Sequence, residues 1–165
     1  MKATLQINGI EIEVEVSEEQ IEKLTEKKKS PFERLENGEL YHFIKPYGEI
    51  GITNDYNELR DNKHYAVANY CTNKDLIQQQ AWRKTLNRLL WRWQYENDEP
   101  LDWSNELSFK HRISYDCQNE KFTAEGYNNI FKAEGSVYFS TKEKAEQAIE
   151  EVVKPFMKEH PDFVW

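Results

Sequence analysis

The chain has 165 residues, a formal net charge of -8 at pH 7, 13% aromatic and 32% charged residues, and two cysteines. A chain of this length can bury a core without a disulfide or metal staple, its aromatic content is too high for a disordered acidic chain, and no apolar run approaches the ~18–20 residues of a membrane span. Cys71 and Cys117 show neither CxxC spacing nor a disulfide framework, and the start MKATLQINGIEIEVEV has no signal-peptide pattern, so the expected setting is a reducing cytoplasm with no membrane partner.

In TLQINGIEIEVEV, Leu5 and Ile7, then Ile10, Ile12, Val14 and Val16, alternate with polar residues around Asn8-Gly9, the pair a type I′ turn favours. A two-stranded hairpin is predicted, with Glu11, Glu13 and Glu15 in one row about 6 to 7 Å apart. Ser17 and Gln20 form a capping box that opens a helix through Lys29, acids in its first turns and lysines in its last. Pro31 lies just beyond that helix. LYHFI from Leu40 and EIGIT from Glu49 predict a second hairpin turning at Pro46 to Gly48, and HYAVANYC from His64 predicts one more strand.

The segment AWRKTLNRLLWRWQYENDEPLDW, Ala81 to Trp103, holds four of the five tryptophans. At 100° per residue, Trp82, Leu86, Leu89, Leu90 and Trp93 share one apolar stripe, which reads as core, while Lys84, Arg88, Trp91 and Tyr95 share the opposite one. Trp91 is the residue out of place. It is either covered by the second half of the chain or exposed with Tyr95 as an anchor for a partner, since Trp, Tyr and Arg dominate interface hot spots. Charge is polarised here: residues 74–93 carry a net +4 and residues 94–108, with Glu96, Asp98, Glu99, Asp102 and Glu106, a net -5. The basic stripe could meet phosphate and stack bases, but the overall negative charge repels nucleic acid at long range. The acids point instead to a protein with a basic surface.

Two blocks of the chain resemble each other. NYCTNKDLIQQQAW from Asn69 and VYFSTKEKAEQAIE from Val137 match at an offset of 68, and YHFI from Tyr41 matches KHRI from Lys110 at 69, so His42 corresponds to His111. Each block reads as three strands and a helix capped by a hydroxyl and a carboxylate, Thr72 with Asp75 and Ser140 with Glu143. The expected fold is therefore α+β: an N-terminal β-hairpin plus helix (1–39), a first βββα unit with the Trp-rich helix and an acidic linker (40–108), and a second, related βββα unit (109–165), antiparallel sheets packed on helices. Phosphate-binding glycine loops, GxSxG, HExxH and paired-cysteine metal motifs do not occur in the sequence, so no catalytic residue, metal or cofactor is expected. His42 and His111 read as inherited packing or surface residues.

The succession NGIEIEVEVSEEQIEKL, ENGELYHFI with GEI, a Trp-rich helix, LDWSNE and VYFSTKEKAEQAIE is similar to small proteins of unknown function carried by phages and prophages of Gram-positive bacteria. That group includes anti-CRISPR inhibitors of host defence, some of them acidic DNA mimics. The resemblance implies a non-enzymatic protein in the cytoplasm of an infected bacterium, whose partner is a CRISPR effector nuclease or other defence protein. The residues expected to bind, from charge and helical geometry, are Glu11, Glu13, Glu15, Lys84, Arg88, Trp91, Tyr95, Glu96, Asp98, Glu99 and Asp102. Two other readings stay open: a nucleic-acid-associated phage accessory protein using Lys84, Arg88 and Trp91, and a general protein-interaction module.

Overall fold

The N-terminal hairpin forms in the predicted register. β1 (Lys2–Ile7) pairs antiparallel with β2 (Ile10–Glu15), from Ile7 opposite Ile10 to Lys2 opposite Glu15, and Gly9 takes the left-handed φ of +83° that the tight turn needs. A computed structural model describes residues 2–7, 9–15, 17, 30–128 and 132–165. Asn8, Val16 and the helix expected to follow Ser17 through Lys29 lie outside those residues. The chain divides into two compact units, 1–33 and 34–165, and the hairpin belongs to the first.

The second unit is α+β. β3 (Leu40–Ile44) and β4 (Ile50–Asn54) form the predicted second hairpin, from Leu40 opposite Asn54 to Ile44 opposite Ile50. Then come α1 (Leu59–Ala66), α2 (Lys74–Asn97), β5 (Lys110–Asp116), β6 (Lys121–Tyr127) and β7 (Tyr138–Phe139), the last three forming an antiparallel sheet of order β6-β5-β7. The chain ends in α3 (Lys142–Ala148), a π turn (Ile149–Val153) and α4 (Lys154–Glu159). Pro155 does not stop this last helix. The turn ahead of it widens, the Lys154 N–H reaching the Ile149 carbonyl, and the extra residue makes room for a ring that would otherwise meet the preceding turn.

The strand expected over HYAVANYC is instead the second half of α1 and its exit. Asp61, at the third helical position, accepts from the Glu58 N–H at 3.2 Å, a capping arrangement that uses the shorter aspartate where a glutamate or glutamine is usual. At the other end the Ala68 N–H bonds to the Tyr65 carbonyl and the Asn69 N–H to the His64 carbonyl. This is a Schellman closure with alanine, φ +53°, in the left-handed position that glycine normally fills. Only Cys71 regains sheet pairing, as an isolated bridge to His42. The caps of the two long helical segments also move by one residue. Asn73 Oδ1, not Thr72, accepts from the Leu76 N–H, and Thr141 Oγ1, not Ser140, from the Lys144 N–H.

The displaced caps and the bridge agree with each other across the two halves. Asn73 and Thr141 keep the offset of 68, and the Cys71–His42 bridge has its counterpart in the pairing of Phe139 with His111. In each half the segment leading into the capped helix returns to the first strand of its hairpin at the same histidine. What differs is that α1 precedes the return in the first half, where the described residues 132–137 of the second half carry no helix.

Two buried carboxylates tie the first half together. Asp55 receives Arg34 Nε at 2.6 Å, the Tyr70 hydroxyl at 2.7 Å and the Asn57 N–H at 2.8 Å. Asp61 receives the Tyr41 hydroxyl at 2.9 Å, the Tyr56 N–H at 3.0 Å and Arg60 Nε at 3.2 Å. Tyr41 and Tyr70 are themselves stacked, 4.1 Å between centroids, so the two networks share one wall. Burial alone would push the Asp61 carboxyl up, but the donors from Tyr56, Tyr41, Glu58 and Arg60 outweigh it and hold the group at about 2. Burial, then the bond to Asp61, pushes the Tyr41 phenol to about 12. The single Tyr41 hydrogen goes to Asp61, so His64 Nδ1, 2.9 Å from the same oxygen, must carry its own hydrogen and donate. Burial and the nearby Arg60 charge lower the His64 pKa. Asp61 is ionised and Tyr41 protonated throughout the neutral range, which suits an anchor.

Two stability measurements follow. Replacing Ala68 by Gly removes an L side chain from a left-handed position and should raise unfolding stability by ~0.5–1 kcal/mol in urea titrations. The Asp61 pKa is depressed from an ordinary 3.8 to about 2, so its contribution is complete above about pH 4 and is lost as pH falls toward 2. Asp61→Ala, which leaves Tyr41 and two backbone N–H groups without their acceptor, should cost about 3 kcal/mol and flatten the stability profile over that acid range.

Candidate functional site

An aromatic concavity forms where α2 ends. α2 buries Ile77, Ala81, Leu86, Leu90 and Trp93 along one side, with Trp82 and Leu89 half-buried against the same core, which also takes in Phe139, Ala145, Val153, Phe156 and Phe163. Trp93 is fixed from both directions, its Nε1–H donating to Glu151 at 2.8 Å and its ring meeting Phe139 at 5.9 Å. The predicted apolar stripe is therefore the core stripe. The opposite stripe is open: Lys84 and Arg88 are exposed, and Trp91 and Tyr95 are 56% and 87% exposed. The second half of the chain does not cover Trp91.

The end of α2 is held by a carboxylate. Asp98, the C-terminal capping residue, accepts the Ser140 N–H at 2.7 Å and also the Ser140 hydroxyl. A negative group at a helix C-terminus is opposed by the helix dipole, and the two donors of Ser140 offset that. The tie fixes the start of the 98–109 segment beside the strand before α3. Further along, Trp103 packs edge-on to Tyr138 at 5.0 Å, with the Lys132 ammonium 4.6 Å and the Lys110 ammonium 5.7 Å from the centre of its ring. Lys110 is fully buried and donates to the Asn105 carbonyl at 2.8 Å, which closes the loop over the sheet.

Between these walls lies a groove of about 630 Å³, within the size range of small-ligand and side-chain pockets. Trp91, Tyr95, Trp103 and Tyr138 give it four rings, Pro100 and Leu101 an aliphatic edge, and Asp98 and Lys132 its charges. Of the predicted binding residues, the fold thus gathers Trp91, Tyr95 and Asp98 in one place. Lys84 and Arg88 continue the exposed stripe up the helix without lining the groove. Glu96, Glu99 and Asp102 are exposed on the same stretch of chain, and Asp102 is turned back on Ser104, whose hydroxyl and N–H hold its carboxyl below the ordinary range. Asp98 belongs to a structural tie as well as to the groove. Glu11 is exposed in the other compact unit; the side chains of Glu13 and Glu15 lie outside the described set.

Trp103, Tyr138 and Lys132 were not legible as groove residues. Trp103 stands in the acidic run and Tyr138 in the repeat, and nothing in their spacing to α2 brings them together; the Asp98–Ser140 tie does. Among the described residues no group of three His, Cys, Asp or Glu side chains is placed to hold a metal ion, and no helix is long and apolar enough to cross a membrane. Cys71 is buried and Cys117 exposed, both as free thiols, and burial pushes the Cys71 thiol up. Comparison with protein families, curated proteins and solved structures finds no match for this chain.

The two neighbouring tryptophans should separate cleanly in denaturation experiments. Trp93→Ala opens the core and removes the donor to Glu151, an expected loss of about 3–5 kcal/mol. Trp91→Ala should change stability by no more than about 0.5 kcal/mol. Equal losses would show that Trp91 is a packing residue.

Proposed function

We propose that the protein is a non-enzymatic, phage-borne inhibitor that binds a bacterial antiviral nuclease of the CRISPR type in the cytoplasm of the infected host and blocks its nucleic-acid groove. The observation that carries the reading is the exposure of Trp91 and Tyr95 at the mouth of an aromatic groove, next to the exposed acids Glu96, Glu99 and Asp102. The core has no use for either ring, and a large exposed aromatic pair beside charge is the composition of an interface hot spot. The acids favour a partner whose own surface is basic, as a surface built for a phosphate backbone is, and they speed its approach by long-range attraction. The similarity to phage and prophage proteins supplies the setting. Glu11, Glu13 and Glu15 form a second acidic candidate on a separate unit.

The exposed Lys84 and Arg88 favour a second reading, a nucleic-acid-associated accessory protein. It competes with the acidic run that begins one turn after Trp91, which repels phosphate at the same place where the rings would stack bases.

The test is protection of a plasmid target from a panel of CRISPR nucleases, with each variant checked for folding by circular dichroism. Glu96→Lys, Glu99→Lys and Asp102→Lys together should weaken inhibition and reduce its salt dependence; Asp98 is left intact because Ser140 depends on it. Glu11→Lys, Glu13→Lys and Glu15→Lys together probe the hairpin. Trp91→Ala should weaken inhibition by about 10-fold or more, as hot-spot truncations do. Full inhibition by both charge-reversed proteins rejects the electrostatic mechanism, and no inhibition by the unmodified protein rejects the function.

A further inference from the structure

We infer that the groove at the end of α2 is a receptor for an arginine side chain on an extended segment of the partner protein. This rests on the reading above only in taking the partner to be basic. Three observations lead to it.

The first is the ring chemistry. Exposed or half-exposed aromatic faces in this protein attract cations from its own chain: Arg34 lies 5.3 Å over Tyr65, Arg112 lies 4.4 Å over Tyr127, and Lys132 lies 4.6 Å over Trp103 inside the groove itself. Among the described residues no cation takes that position over Trp91 or Tyr95, although these are the most open rings of the groove. The second is charge. Asp98 lines the same groove, and its carboxylate, which accepts two hydrogen bonds from Ser140, has further lone pairs for an incoming donor. Glu96 and Glu99 stand exposed on either side of it in sequence. Among the described residues Lys132 is the one cation lining the groove, and it already lies over Trp103. The third is shape. A trough of about 630 Å³ with flat aromatic walls suits a planar guanidinium, which stacks and donates to a carboxylate at once; an ammonium is compact and strongly hydrated and gains less there. A nucleotide would meet Asp98 with its phosphate, which disfavours the other planar occupant.

The experiment uses the full-length protein and a blocked tetra-arginine peptide, with tetra-lysine, tetra-glutamate and a short oligothymidine as comparisons, read by tryptophan fluorescence and calorimetry at low salt. Tetra-arginine should bind at least ten-fold more tightly than tetra-lysine, and tetra-glutamate and oligothymidine should not bind. Trp91→Ala and Tyr95→Ala should each lower affinity for tetra-arginine at least five-fold. Asp98→Asn, whose amide can still pair with both Ser140 groups, should lower it as well, while Glu36→Gln, at an exposed acid outside the groove lining, should leave it unchanged. Equal binding of the arginine and lysine peptides, or arginine binding that survives both ring removals, would mean unspecific attraction to an acidic protein and would overturn the inference. Preference for oligothymidine would overturn it in favour of a nucleobase site. Because no nuclease enters this measurement, loss of the arginine site and failure of the inhibitor function give different results: a groove that binds arginine in a protein that inhibits no nuclease leaves this site standing and removes only the function.

Discussion

Everything in the second unit is arranged around one helix that has to satisfy two sheets with a single buried stripe. α2 packs on β3 and β4 as well as on α3 and the π turn, and Leu86, Leu90 and Trp93 enter a core with Phe139, Ala145 and Val153. Each large apolar side chain so buried contributes about 1.5–3 kcal/mol, so rotating the helix about its axis is not available as a small adjustment. The outward stripe is thereby fixed too. Lys84, Arg88, Trp91 and Tyr95 stay outside the buried stripe and exposed because the residues opposite them cannot. An exposed tryptophan on such a helix is not a packing accident that a slight roll would cure.

Carboxylates do a different job in this protein from the one its net charge suggests. Asp55 and Asp61 are buried acceptors that join the β3–β4 hairpin to α1 and to Tyr70. Asp98 fastens the end of α2 to Ser140. Glu151 accepts from Gln147 and Trp93, and Glu125 from Tyr127 and Ser114, bonds that hold both carboxyls below their ordinary range. A buried carboxylate with its donors in place is a geometric lock, and removing a donor leaves a charge unpaired. Near the groove the acids that stay exposed are Glu96, Glu99 and Asp102, and Glu11 is exposed on the hairpin.

The internal likeness also has a physical explanation at the level of the backbone. Both halves bring the chain back to a histidine on the first strand of a hairpin, through Cys71 at His42 and Phe139 at His111, before a capped helix begins. That return is what the fold keeps, and the route to it differs. The first half makes it through α1 and a left-handed alanine, the second through β7, paired over two residues. The β5–β6 hairpin is also longer than the β3–β4 hairpin, seven paired positions against five.

Local patterns of the sequence determined the elements whose causes are local. The alternation around Asn8-Gly9, the turn at Pro46 to Gly48, and the helical spacing of Trp82, Leu86, Leu90 and Trp93 each specify a conformation within a few residues, and those elements stand where they were expected. The spacing of Lys84, Arg88, Trp91 and Tyr95 likewise fixed that they share a face. α1 escaped detection because Asp61 and Ala68 do at its ends what glutamate and glycine ordinarily do, and because Tyr65 and Val67, each followed by an alanine, imitate strand alternation. The groove was beyond local pattern altogether. Whether Trp91 is exposed depends on where residues 98–109 run, and that depends on Asp98 meeting Ser140 some forty residues away in the chain. A contact of that kind leaves no trace in the spacing of neighbours, since it is decided only when the helix and both sheets have settled around one core.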